Sequence, residues 1–288
     1  MTGSVEIPPI NSVLVVGAGT MGGGIAQVLA EANIETVVTD ADSSALERGL
    51  QAVSARWDRA VQSGRRSLDE VEAAQAKLRA GGIEDAACCD LTIEAIVEKP
   101  EAKIGLFQTL AQLAPPDAYF ASNTSSIAIT ALGQASGRPE RFVGMHFFNP
   151  VPMLPLVEIV RGMATSDEAV AMATGLAERI GKTPVVVNDA PGFVANRILL
   201  PMINEAIFAL DEGVARAEAI DDVMKLGMSH PVGPLALADL IGLDICLDIM
   251  ETLHHDFGDD KYRPAPLLRR MVAAGRLGRK SGHGFYTY

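Results

Sequence analysis

The chain has 288 residues, 48% hydrophobic and 21% charged, with 24 Lys+Arg against 36 Asp+Glu and a formal net charge of −12. That size and composition allow one large or two smaller domains with real cores, and exclude a disordered or low-complexity chain. The acidic balance argues against a nucleic-acid partner, which needs a basic surface, and requires any anionic ligand to be held by local donors. No internal repeat is present. Met1 to Pro9 has no basic region leading into an apolar run, so no secretory signal is expected, and no apolar run is long enough for a membrane span. The three cysteines, Cys88, Cys89 and Cys246, are odd in number and lack metal-ligand spacing. They fit small hydrophobes in a reducing cytoplasm, and no metal site is expected.

Ser12 to Val16 is a short β-branched apolar run and reads as a buried strand. Gly17 to Gly24 is glycine-rich, Ile25 to Ala32 reads as helix, and Glu35 to Thr39 is a second strand ending at Asp40. Ser43 to Gly81 reads as two helices broken at Gly64, an excursion from the sheet. Strands are expected at Leu91 to Ile96, Tyr119 to Ala121, Phe142 to His146, Val157 to Val160 and Val185 to Val187, with helices at Glu101 to Leu113 and Glu168 to Ile180. This alternation predicts an α/β, Rossmann-type, doubly wound and mostly parallel sheet over residues 1–189. After Asn188 the pattern changes to helices at Phe193 to Leu210, Ala217 to Leu226, Leu235 to Thr252 and Leu267 to Ala274. Residues 190–288 are therefore expected to form a smaller all-helical domain, with Pro201 kinking its first helix.

Gly17-Ala18-Gly19-Thr20-Met21-Gly22 fits G-x-G-x-x-G after a predicted strand, and Asp40 lies 23 residues beyond Gly17. Gly17 permits the tight turn, Gly19 lets backbone approach a pyrophosphate, and Gly22 lets helix and strand pack. Helix-terminal N–H groups at Thr20 and Met21 then face the phosphates without a basic surface. Asp40 can accept from both adenine-ribose hydroxyls and would repel a 2′-phosphate, so NAD is favoured over NADP. The blander alternative is a tight turn with Asp40 as a helix cap.

Three polar segments recur at strand ends or at the junction: Ser122-Asn123-Thr124-Ser125-Ser126, Gly144-Met145-His146-Phe147-Phe148-Asn149-Pro150, and Asp189-Ala190-Pro191-Gly192-Phe193-Val194-Ala195-Asn196-Arg197. Ligands of open α/β sheets bind beyond the carboxyl ends of strands, and a cleft is expected at the junction. With VLVVGAGTMGGGIAQ, EAIVE, LVEIV, HPVGPLALADLIGLD and GRKSGHGFY, these segments in this order resemble the short-chain L-3-hydroxyacyl-CoA dehydrogenase family over essentially the whole chain, especially bacterial 3-hydroxybutyryl-CoA dehydrogenases. The resemblance implies reversible NAD-dependent oxidation of a short-chain 3-hydroxyacyl-CoA, with His146 as base. Alcohol oxidation independently requires an acceptor for the hydroxyl proton, which an imidazole suits. The resemblance also implies that Glu158 braces His146, and that Ser125 and Asn196 face the reacting oxygen. It further implies cofactor contacts from Asn123, Asn149, Glu98, Lys103 and Lys280.

Coenzyme A carries several phosphates, so cations should cluster locally. Arg56 and Arg59, three apart on one helical face, are the candidates, beside the alternative of an ordinary charged surface and with an acyl-carrier-protein thioester still open. Leu235 to Met250 is apolar around most of its circumference, which suits burial in the monomer or in the homodimer interface that the resemblance implies. Two further alternatives stay open: a dehydrogenase of a free hydroxy acid such as a sugar acid or carnitine, and a non-catalytic NAD-binding protein. His230, His254, His255 and His283 match no catalytic position.

Overall fold

The computed structural model describes residues 9–288. The expectation of no signal segment, resting on Met1 to Pro9, falls outside the described residues up to residue 8. Two compact units are separated at Met1–Asp189 and Ala190–Tyr288. Among the described residues no helix is long and apolar enough to cross a membrane.

The first unit opens with β1 (Ser12–Val16), α1 (Thr20–Glu31) and β2 (Glu35–Thr39). Its excursion contains α2 (Ser43–Gln62) and α3 (Leu68–Gln75), then returns to the sheet as β3 (Leu78–Ala80) and a 3-10 turn at Ile83–Cys88. There follow β4 (Leu91–Glu94), α4 (Pro100–Leu113), β5 (Tyr119–Ser122), α5 (Ile129–Ala135), β6 (Phe142–Phe147), β7 (Leu156–Arg161), α6 (Asp167–Arg179) and β8 (Thr183–Asn188). The strands form one sheet in the order β3-β2-β1-β4-β5-β6-β7-β8, parallel except for the antiparallel β6–β7 pair. The order reverses direction at β1, whose neighbours are β2 and β4, so a ligand crevice is expected beyond that junction. β6 returns directly into β7 without a crossover helix, which only antiparallel strands permit.

Central strands are buried on both faces, and Val13, Leu14, Val15, Leu91, Ile93, Phe120 and Phe142 are inaccessible to solvent. Such strands read as continuous apolar runs, which is why they were legible. The excursion packs its own small core of Val53, Trp57, Val71 and Ala74 against Ala30 of α1.

Within the second unit are α7 (Ala195–Asp211), α8 (Ala217–Met228), α9 (Pro234–Ile241), α10 (Leu243–Phe257) and α11 (Pro266–Ala273). The single helix expected over Leu235 to Thr252 is two, broken at Gly242 with φ +108°. Leu235, Ala238, Leu243, Cys246, Ile249 and Met250 fill this unit's own core, so most of that apolar circumference is satisfied internally. Pro201 lies inside α7. Asp239, 1% exposed, accepts from the backbone N–H groups of Phe285 and Tyr286, each at 2.9 Å, and fastens the C-terminal segment.

Candidate active site

The glycine turn leaves β1 where the sheet order reverses. Gly17 adopts φ +103°, donates its N–H to Thr39 O at 2.8 Å, and would place a Cβ 2.4 Å from Ala95 O. At Gly22 an added Cβ would lie 1.7 Å from Gly17 O, so any side chain would force helix and strand apart. Gly19 differs: its φ is −64° and nothing lies within 4 Å of its would-be Cβ. Neither backbone strain nor packing by the protein requires glycine there.

That open face borders a cavity of about 790 Å³ lined by Gly17, Gly19, Thr20, Met21, Asp40, Ala95 and Ile96, among others. α1 begins without a side-chain cap, and its first residues, Thr20 and Met21, line this cavity. Asp40 sits at the cavity edge, where its carboxylate accepts from Ala18 N at 2.8 Å and Asp42 N at 3.0 Å. Arg48, the first cation after Asp40, is turned to Asp42 at 3.6 Å. A cradle of bare glycine, uncapped helix N–H groups and a fixed carboxylate fits NAD on this structure's own geometry.

Antiparallel pairing of β6 with β7 places His146 directly opposite Glu158. Nδ1 of His146 lies 2.7 Å from Oε2 of Glu158, with the side chains 8% and 3% exposed. The Phe148 ring packs beside the imidazole, centroids 4.6 Å apart. Beyond β5, Asn123 ties the strand ends together: its N–H donates to Glu94 O and its Oδ1 accepts from Phe147 N, at 2.8 and 2.9 Å. Asn149 is exposed in the turn after β6, followed by a cis bond to Pro150.

Ser125 lies in the loop after β5, and that loop is gathered by Glu98. Glu98 Oε1 accepts from Thr124 Oγ1 at 2.5 Å, Ser125 N at 2.8 Å and Ser126 N at 3.1 Å, with longer contacts of 3.2 Å from both serine hydroxyls. Burial works to raise the Glu98 pKa, but the Lys103 charge and these hydrogen bonds outweigh it and hold the carboxyl below the usual carboxylate range. Lys103, named from sequence as a cofactor contact, is 1% exposed and engaged at 2.5 Å with Glu94 and 3.1 Å with Glu98. Glu94 was not singled out, and Ser122 only as the start of a polar segment, because an acid or serine at a strand end looks the same in sequence whether buried or solvated. Lys182 was also missed; it fastens the loop after β6 by donating to Val151 O and Leu154 O at 2.5 and 2.9 Å.

The Arg56 guanidinium donates to Gln27 Oε1 at 2.5 Å and Gly23 O at 3.1 Å, bracing α2 on α1. Arg59 is exposed, and both border a cavity of about 550 Å³ with Arg65, Arg66, Glu31 and Met153. Burial and the adjacent Arg59 charge lower the Arg56 pKa, with Glu31 partly offsetting them. Crowded guanidiniums of this kind are stabilised by an anion between them.

Asn196 and Lys280 belong to the second unit. Asn196 is 8% exposed at the start of α7, after a turn in which Gly192 and Phe193 take φ +73° and +48°. A bulky residue at positive φ is strained, and such strain concentrates at functional sites. Lys280 pairs with Asp244 at 2.6 Å. His254 and His255 meet different carboxylates, Asp260 and Asp256. Among the described residues no group of three or more His, Cys, Asp or Glu is placed to hold a metal.

The family described as 3-hydroxyacyl-CoA dehydrogenase, NAD binding domain, matches residues 12–190, and its C-terminal domain matches 192–288. A protein of Deinococcus radiodurans named "Probable 3-hydroxybutyryl-CoA dehydrogenase" is 55% identical over 275 residues, 95% of this chain and 99% of its own. The 3-hydroxybutyryl-CoA dehydrogenase of Bradyrhizobium diazoefficiens is 48% identical over 286 residues, covering 97% of this chain and 96% of its own. The crystal structure of (S)-3-hydroxybutyryl-CoA dehydrogenase from Ralstonia eutropha superposes with a TM-score of 0.94 at 46% identity, covering 97% and 99% of the two chains.

Proposed function

The chain belongs to the 3-hydroxyacyl-CoA dehydrogenase family and is an NAD-dependent oxidoreductase of 3-hydroxyacyl-CoA, and we propose that its substrate pair is (S)-3-hydroxybutyryl-CoA and acetoacetyl-CoA, in butanoate and fatty-acid metabolism. The four-carbon choice is supported by the names of relatives at 55% and 48% identity. The catalytic assignment is carried by one observation, the buried 2.7 Å contact between His146 and Glu158.

When bound, NAD⁺ supplies the hydride acceptor; the chain moves the proton and holds charge. In oxidation, His146 takes the C3 hydroxyl proton on Nε2, the nitrogen opposite its carboxylate contact. Glu158 fixes the ring's tautomer through Nδ1 and stabilises the imidazolium that forms. In reduction the same proton returns to the developing alkoxide. Ser125 contributes a hydrogen bond to the C3 oxygen or thioester carbonyl, its loop preset by Glu98. The turn Gly17–Gly22, with Thr20 and Met21, binds the pyrophosphate and Asp40 the adenine ribose; Asn123 and Asn149 border the nicotinamide end, with Glu98 and Lys103 toward the ribose. For Asn196 and Lys280 the proposed roles, toward the reacting oxygen and the cofactor, rest on the resemblance alone.

Arg56 and Arg59, which border one cavity with Arg65 and Arg66, meet the phosphates of coenzyme A. A homodimer through the helical unit is supported by its exposed apolar side chains, Ile198 at 66%, Leu226 at 84% and Leu240 at 54%. A cytoplasmic setting suits three free cysteines, of which Cys88 is exposed.

Purified protein with NADH and acetoacetyl-CoA is expected to lose absorbance at 340 nm, and the rate is expected to fall as the acyl chain is lengthened. Turnover of a free hydroxy acid with none of any acyl-CoA contradicts the substrate assignment.

A further inference from the structure

The reversal that joins the strand of His146 to the strand of Glu158 is held from outside itself. Residues 148–155 lead from Phe147, which ends β6, to Leu156, which opens β7. Inside the reversal, Met153 N and Leu154 N both donate to Pro150 O at 3.0 Å. The carbonyls of Val151, Leu154 and Pro155 are taken by the approach to β8. Lys182 Nζ donates to Val151 O at 2.5 Å and to Leu154 O at 2.9 Å, and Thr183 N donates to Pro155 O at 2.7 Å.

The backbone of Lys182 is fixed before its side chain reaches out. α6 ends in a Schellman motif: Gly181 takes φ +72° and donates to Glu178 O at 3.0 Å, and Lys182 N donates to Ala177 O at 2.8 Å. Lys182 is 8% exposed, and among the described residues its ammonium is bonded to no carboxylate. Burial lowers its pKa, with the charge of Glu31 partly offsetting this. An ammonium held by neutral carbonyls is expensive to bury, and an apolar side chain would serve packing better. What the ammonium adds is directed donors on a long reach. They act on a loop with much attached to it. His146 and Glu158 stand opposite each other beside the reversal. Val151, in its middle, packs on α1, where a Cβ added at Gly24 would lie 2.9 Å from Val151 Cβ. Pro150, Pro152 and Met153 wall the arginine cavity.

We propose that Lys182 is a positioning residue for the reaction, fixing the 148–155 reversal so that Glu158 stays seated against His146. This rests on the reading of His146 as the base and Glu158 as its brace. In an antiparallel pair the connection sets the register, and register decides which side chains meet. Lys182→Met leaves the carbonyls of Val151 and Leu154 without their donor, and the reversal relaxes to find others. The contact between His146 and Glu158 then loosens. The glycine cradle and Asp40 belong to other loops and keep their geometry.

The test compares Lys182→Met, Glu158→Gln and the double variant with wild type. Hydride transfer is measured by single turnover at saturating NADH and acetoacetyl-CoA, and NADH affinity by fluorescence titration. The third readout is the downfield proton resonance of His146 Nδ1–H, assigned by its loss in His146→Gln. In Lys182→Met the saturated rate is expected to fall by about tenfold to 10²-fold, the loss that small misplacement produces. The NADH dissociation constant is expected to stay within about twofold of wild type. The His146 resonance should shift or broaden at a temperature where the variant is fully folded, which a loss of stability alone does not do. The double variant should be no slower than Glu158→Gln, because Lys182 acts through the brace. Should Lys182→Met fail to fold, Lys182→Gln, whose amide is too short to reach both carbonyls, carries the test by the same readouts. A wild-type rate in the Lys182 variant overturns the positioning role. So does a lowered rate with the His146 resonance unmoved, or a double variant in which the two losses multiply. A wild-type rate in Glu158→Gln instead overturns the reading of the brace on which the inference rests, so the two failures are told apart.

Discussion

A carboxylate flanked on its strand by Leu156, Val157, Ile159 and Val160 has no reason to be 2% exposed unless something nearby compensates it, and His146 is that partner. Removing one member of such a pair leaves the other buried and uncompensated, a loss of about 3–5 kcal/mol where the pair is fully ionised. Glu158→Gln tests the catalytic side of this pairing: it retains shape but loses the charge that stabilises the imidazolium. The saturated oxidation rate is expected to drop by about 10²-fold or more, while NADH affinity holds. An unchanged rate removes Glu158 from the mechanism. The strands carrying His146 and Glu158 were legible as apolar runs, whereas the pairing of the two side chains entered only as what the resemblance implies. Lys103 and Arg56 were legible only as cations. What sequence does not carry is where a flexible chain of methylenes delivers its charge: Lys103 turns inward to two acids, and Arg56 turns to Gln27.

At the scale of elements, the turn from β1 into α1 separates two jobs that the glycine motif combines. Gly22 serves packing, since it would collide with backbone on gaining a Cβ, whereas Gly19 faces open space, where the proposed cofactor site lies. Gly22→Ala is therefore expected to lower the melting temperature, with a cost of about 3 kcal/mol or more from forced backbone displacement. Gly19→Ala should fold with a loss of about 1 kcal/mol at most, yet bind NADH at least about tenfold more weakly. Equal NADH affinity in Gly19→Ala contradicts a cofactor seated against that face. The turn was readable because strand, glycines and acid fall within one β-α-β unit. α5 was not, because its cap is distant: Asp189 accepts from Ile129 N at 3.1 Å and Thr130 N at 2.8 Å. No local N-cap signal announces a helix held that way. β3 escaped for a different reason. Three residues paired to β2 are too short to show alternation.

For the molecule as a whole, a net charge of −12 repels a polyanionic ligand at long range, and the proposed coenzyme A contacts lie among the arginines around the 550 Å³ cavity. Arg59→Ala is expected to raise KM for acetoacetyl-CoA by about tenfold with little change in kcat, the signature of lost uniform binding. The same variant should treat an acetoacetyl thioester of pantetheine, which lacks the phosphates, like wild type. An equal loss for both substrates removes Arg59 from phosphate recognition. The two units were readable because the hydrophobic pattern changes after Asn188. Pairing of copies was less so, since much of the apolar stretch Leu235 to Met250 is consumed by the second unit's own core.

The account depends most on proton transfer by His146, and single-turnover oxidation of (S)-3-hydroxybutyryl-CoA by His146→Gln, with NADH affinity measured alongside, addresses it directly. The rate is expected to fall by about 10²–10⁴-fold, with NADH binding preserved. A rate close to wild type with the cofactor bound contradicts the assignment of His146 as the base.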